Sequence, residues 1–339
     1  MIDTGFNQAP QIGRWLRVFM RFQPQEDGTP VVPPPPGTPT VPVSLAVVEF
    51  PNEFLIGPND PRQELKTIGS CIYCGATDEP LSEEHFVSKG LGSRLVLLKA
   101  SCQQCATKTS AVERMVLHQS LLVPRVRMGI RRKKRKRNEN LFPVPINRTD
   151  GRNIVHTTLD NHPSVLFMPI FNAPGLTIDR PIGAHGIQGA HLQMLTELPK
   201  PEFSEFASPS VDTAAFCQLL AKIAHGFAVL ELGNDGFKPL LPDIILKDYG
   251  GDNSFSWFHL IGGDPRSLAP SDALHVLGWG FFEKDGTEYL IVTLRLLANA
   301  GTPIYYAVAG MFSPEQSAKA HALEEARARA RGTTHGQPC

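Results

Sequence analysis

Residues 71–118 read CIYCGATDEPLSEEHFVSKGLGSRLVLLKASCQQCATKTSAVERMVLH, and two cysteine pairs bracket the stretch: Cys71 with Cys74, and Cys102 with Cys105. Four thiols in two CxxC pairs, a few tens of residues apart, can converge tetrahedrally on one zinc ion. A closed four-thiolate shell leaves no coordination position for a substrate, so the expected zinc is structural. Its binding would contribute on the order of 10 kcal/mol to folding. That term decides the stability of so short a segment, which alone buries too little apolar surface. Between the pairs, Glu84 stands next to His85. A carboxylate beside an imidazole, inside a zinc-stapled loop, is a constellation that hydrolytic metal chemistry uses.

Around this stretch the 339-residue chain has room for two or three domains and a sizeable core. Its 33 basic and 33 acidic residues cancel, so only the distribution of charge is informative. From Arg125 to Arg137 there are nine Lys or Arg and no acid, which leaves the remainder at −9. No run of 18 apolar residues occurs, and no membrane span is expected. The first residues lack the apolar stretch and cleavage site of a secretory signal. Of six cysteines, four lie in the CxxC pairs, which fits metal binding in a reducing, cytoplasmic compartment better than disulfides. Cys217 reads as a small core residue.

Residues 1–42 are an N-terminal segment of uncertain structure followed by a proline-rich linker, where Pro30–Pro42 favours extended polyproline II. The cysteine module is placed within 43–122, with VSLAVVEF (43–50) as a strand that pairs with a later region. A basic segment (123–139) leads to a larger α+β domain at 140–312, and a polar helix with a tail (313–339) closes the chain. The clearest helix runs Asp212–Leu232. Phe216, Leu219, Leu220, Ile223, Ala224 and Phe227 follow helical spacing, Asp212 is the N-cap, and Gly233 is the stop. On its other face lie Gln218, Lys222 and His225, and His225 reads as an exposed polar residue rather than part of a site. Strands are expected at 254–261, 273–283, 288–297 and 303–310, with Lys284-Asp285-Gly286 as a hairpin signal. Leu290, Val292, Leu294 and Leu296 share one face and should cover a core. His156, His162, His185 and His191 show no metal-ligand spacing and read as scattered surface residues. The fold class is α+β: a small zinc-stapled module joined to a larger domain with an antiparallel meander.

The cysteine module resembles the zinc-ribbon-bearing HNH endonucleases, the ββα-metal nucleases. In that family two CxxC pairs flank the core, the second pair opens a helix, and an acidic residue followed by His ends the first strand, as in LSEEHFVSKGLGS. The likeness covers Cys71 to Leu117, about a seventh of the chain. It implies a hairpin around 84–98 packed on a helix around 103–118, with one divalent metal, Mg²⁺ or Mn²⁺, between them. It also implies His85 as the general base and Glu84 as a ligand of that metal. Two features depart from the pattern. The family's Asn after the last cysteine is replaced by Ala106, whose methyl group cannot coordinate a cation, and the middle Asn is not evident in Arg94–Ala100. Glu113, two turns along the helix from Ala106, is a candidate second ligand, the competing reading being a surface carboxylate.

The heptamer Arg131, Arg132, Lys133, Lys134, Arg135, Lys136 and Arg137 would supply sequence-independent affinity for nucleic acid, DNA in the first instance, by releasing counterions from phosphates. A nuclear-import signal is the competing reading. Two function classes therefore stand: a metal-dependent DNA endonuclease, and a zinc-stapled nucleic-acid-binding module without catalysis.

Overall fold

In the computed structural model, the described residues are 53–334 apart from 59, 131–140, 149–150, 183, 185, 197–210, 248–256 and 265–267. The basic heptamer, the proline-rich segment, VSLAVVEF and His185 lie outside them. The elements run β1 (Phe54–Ile56), β2 (Gln63–Thr67), β3 (Leu81–Glu84), β4 (Leu95–Cys102), α1 (Gln103–His118), α2 (Leu122–Arg127), β5 (Leu141–Arg148), β6 (Gly151–Thr158), β7 (Val165–Phe171) and β8 (Ile187–Met194). They continue with α3 (Thr213–Leu232), β9 (Lys238–Pro239), α4 (Pro242–Leu246), α5 (Trp257–Leu260), β10 (Ile261–Asp264), β11 (His275–Lys284), β12 (Thr287–Leu296), β13 (Ile304–Met311) and α6 (Pro314–Thr334). The class is α+β.

The cysteine module is a three-stranded sheet in the order β2-β4-β3 that feeds straight into α1. Strand β3 is antiparallel to β4, and β2 is parallel to it. The helix lies where expected, while the two hairpin strands are shifted to 81–84 and 95–102 around a ten-residue connection. Within that connection Ser88 caps a short 3-10 turn at Lys89–Leu91 by accepting from the Gly90 N–H at 3.2 Å. Helix α1 buries Cys105, Thr109, Val112 and Val116, one stripe at helical spacing.

The large sheet is ordered β1-β11-β12-β13-β10, with β9 on β13. Its centre is the expected meander. Asp285 (φ 50°) and Gly286 (φ 71°) join β11 to β12 with Lys284 opposite Thr287, a two-residue turn with both φ values positive. Leu290, Val292, Leu294 and Leu296 are fully buried. The 254–261 stretch differs from expectation: its described part is a helical turn, α5, that passes into β10 only at Ile261. Helix α6 runs through Gly332 to Thr334 instead of ending at that glycine.

Helix α3 unites the two sheets. Asp212 Oδ1 accepts from the Ala215 N–H at 2.9 Å, and Gly233, at φ 83°, caps the other end. By length and apolarity this helix meets the criteria for a membrane crossing, but 83% of its most apolar stretch is buried inside the fold. Its apolar face meets the meander, where Phe216 and Tyr305 stack edge to face at 5.3 Å. The opposite face, with His225 expected to be exposed, is buried as well: Gln218, Lys222 and His225 are each no more than 2% exposed. The physical reason is further packing partners: the cysteine module receives Lys222 and His225, and the carbonyls of Ile244 and Lys247, at α4, accept from Gln218. Residues of module and meander accordingly belong to one continuous core, from Phe86 and Val112 through Phe216 to Leu294. His162 is a smaller correction of the same kind, buried with its Nε2 donating to the Pro143 carbonyl at 3.2 Å.

Candidate metal and carboxylate centre

The sulfurs of Cys71, Cys74, Cys102 and Cys105 lie within 4.8 Å of one another and could hold a metal ion such as zinc. Tetrahedral zinc with bonds near 2.3 Å sets its sulfurs roughly 3.8 Å apart, and Cys74 Sγ to Cys102 Sγ measures 3.7 Å. Local backbone chemistry shapes both pairs. In the first, Gly75 adopts φ 78° and donates to the Cys71 carbonyl at 2.8 Å, a conformation that favours glycine. In the second, Cys102 is the N-cap of α1, and its sulfur accepts from the Cys105 N–H at 3.5 Å. None of the four is in a disulfide. The spacing of the cysteines was enough to find this site.

About the second expected site the geometry says more than the residues did. A shift in strand register between Ser82 and Glu84 turns consecutive glutamates apart: Glu83 stays in solvent and Glu84 is 5% exposed. Glu84 Oε1, from the hairpin, and Glu113 Oε1, from α1, converge on one point at 2.7 and 2.6 Å. That point is the Nζ of Lys222, which also donates to the His85 carbonyl at 2.6 Å. All three ammonium N–H groups are thereby used. Burial works against the charge on Lys222, but the two carboxylates, Glu84 first, more than offset it and raise its pKa. The Ser88 hydroxyl donates to the other Glu113 oxygen at 2.8 Å and fixes the carboxylate's aim. Nearby, the Tyr73 hydroxyl is buried with no hydrogen-bond partner among the described residues.

His85 sits at the mouth of this centre, with its side chain 15% exposed. Burial, and then the charge of Lys89, lowers its pKa, while Glu83 works in the opposite direction. The ring is therefore neutral at physiological pH, and its contact with Glu83 Oε1 at 3.2 Å is a hydrogen bond donated by Nε2. Glu83 is held at a pKa of about 2, chiefly by its hydrogen bonds from Arg62. The other ring nitrogen, Nδ1, is buried with no hydrogen-bond partner among the described residues.

Helix α3 also grips the first cysteine knuckle. His225 Nε2 donates to the Ile72 carbonyl at 2.6 Å, and Asn234 donates to Ser70 Oγ at 2.7 Å. Gly226 lets the helix come close, since a Cβ there would lie 2.3 Å from Phe86 Cβ. Lys222, His225 and Gly226 are the positions of this centre and of its docking on α3 that the sequence reading missed. Their signal was a polar stripe on an otherwise apolar helix, which periodicity alone cannot distinguish from a wet face.

No protein-family profile, curated protein or solved structure matches the chain.

The two carboxylates and the His85 carbonyl are hard oxygen donors of the kind that hold Mg²⁺ or Mn²⁺. As folded, though, the ammonium fills the point they share, and Ala106, half-buried on α1, adds no donor. The residues present do not fit a resident divalent ion.

Proposed function

We propose that this is an HNH-like protein that acts on nucleic acid through the 71–118 module, with structural zinc in its four-cysteine site. One observation carries the reading: a carboxylate from the hairpin and one from the helix converge on a single cationic point beside His85. The HNH resemblance implies a divalent metal, Mg²⁺ or Mn²⁺, between hairpin and helix; the cationic group at that place here is the Lys222 ammonium. Under the hydrolytic form of the proposal, His85 takes the proton from the attacking water. A neutral imidazole suits that role. As folded, Nε2 donates to Glu83 and Nδ1 is buried, so the role requires Nε2 to exchange its Glu83 contact for the water.

The second form, binding without cleavage, draws its support from Lys222. A lysine ammonium neutralises carboxylates without offering the open coordination positions through which a metal activates water. In both forms the heptamer 131–137 is the proposed phosphate-contacting segment, contributing affinity that falls steeply with salt.

A plasmid-nicking assay on zinc-loaded protein separates the two forms. Hydrolysis by wild type that drops ~10²–10⁴-fold in His85→Ala, with DNA binding retained, supports the general base. Binding without nicking in either protein leaves the non-cleaving form. Absence of both binding and nicking overturns the proposal.

A further inference from the structure

We propose that Lys222 is the resident cation of the centre: its ammonium replaces a divalent metal between Glu84 and Glu113, so that the folded protein binds neither Mg²⁺ nor Mn²⁺ there. The inference holds whether or not the protein cleaves nucleic acid.

Three observations carry it. The ammonium touches oxygens from three separate places, Glu84 at 2.7 Å, Glu113 at 2.6 Å and the His85 carbonyl at 2.6 Å, leaving it no unused donor. A metal needs these same oxygens at roughly 2.1 Å, so ion and ammonium exclude each other. Second, the lysine is anchored, not draped. It is 2% exposed, and it projects from a helix held to the module by His225 and by the close Gly226–Phe86 approach. Third, Glu113 is kept in place independently, through Ser88. Removing the ammonium therefore leaves two aimed carboxylates facing each other, an arrangement that is costly without a cation.

The test uses full-length, zinc-loaded protein and Mn²⁺ as probe, read by electron paramagnetic resonance and by thermal melting. Wild type should bind no Mn²⁺ at this centre, and its Tm should not respond to the ion. Lys222→Met should lower the Tm, acquire about one equivalent of Mn²⁺ and regain Tm on adding it. Both gains should vanish in Lys222→Met/Glu113→Gln. If Lys222→Met does not fold alone, refolding with and without Mn²⁺ is the readout, and Mn²⁺-dependent recovery supports the proposal. A wild type that binds Mn²⁺ and loses it in Glu84→Gln would overturn it. So would a Lys222→Met protein that gains neither metal, Tm nor refolding yield.

Discussion

His275 shows how one buried side chain can make stability depend on pH. It is fully buried in β11, where its Nε2 donates to the Leu91 carbonyl at 2.8 Å and its Nδ1 accepts from the Leu297 N–H at 3.2 Å. Both nitrogens are satisfied only in the neutral ring. Burial pushes the pKa from 6.5 down to about 4, with the Leu91 bond acting the other way. On acidification the unfolded chain therefore takes up this proton first. The contribution is complete above pH 6.5 and is lost as pH falls toward about 4, at about 1.4 kcal/mol per pH unit. Urea denaturation at pH 7 and pH 5 should show less of this loss in His275→Gln than in wild type. An identical pH dependence in the two proteins would remove His275 from the account.

At the scale of elements, α3 is the part on which both sheets depend. Its 20 residues carry an apolar face toward the meander and a stripe of donors toward the cysteine module. Gly226 lies on the module side because the helix backbone must come within reach of Phe86. Alanine is the better helix former by about 1 kcal/mol, so Gly226→Ala would stabilise α3 if the helix stood alone. Here the added methyl would sit 2.3 Å from Phe86 Cβ. Overpacking of this kind costs typically ~1–3 kcal/mol, and the net effect expected in chemical denaturation is a loss. A more stable Gly226→Ala protein would mean that α3 and the module are not in close contact. The β11–β12 turn is the contrasting case. Asp285-Gly286 requires only its own two residues and was readable as a hairpin from them alone.

The described residues all fall within one compact unit. Module and meander share a core that includes Cys71, Cys105, Phe216 and Trp279. The zinc proposed for the four-cysteine site should consequently stabilise more than the two cysteine pairs. Zinc removal by chelation, or Cys71→Ser, is expected to bring down far-UV circular dichroism and the emission of buried Trp279, read in a protein carrying Trp15→Phe and Trp257→Phe, in a single transition. Trp279 reports on the meander, where its Nε1 donates to Glu231 at 3.0 Å. If the emission survives zinc loss while helicity falls, the two parts fold separately and the shared core is not cooperative.

The sequence by itself determined what depends on neighbours along the chain. The CxxC pairs specify two knuckles because each closes within five residues, and Asp212 and Gly233 mark the ends of α3 because caps act over one turn. The alternation 290-292-294-296 names a buried face because strand side chains repeat every two residues. Which polar groups are buried was decided only by the tertiary structure. Lys222 meets Glu84 and the His85 carbonyl across more than a hundred residues of chain, and His225 meets Ile72 across a similar span. A polar stripe on a helix needs hydrogen-bond partners, and water or another backbone serves equally well. Periodicity reveals the stripe but not the partner. Here the partner is the cysteine module, and its docking on α3 places a lysine at the point where the resemblance alone implied a metal.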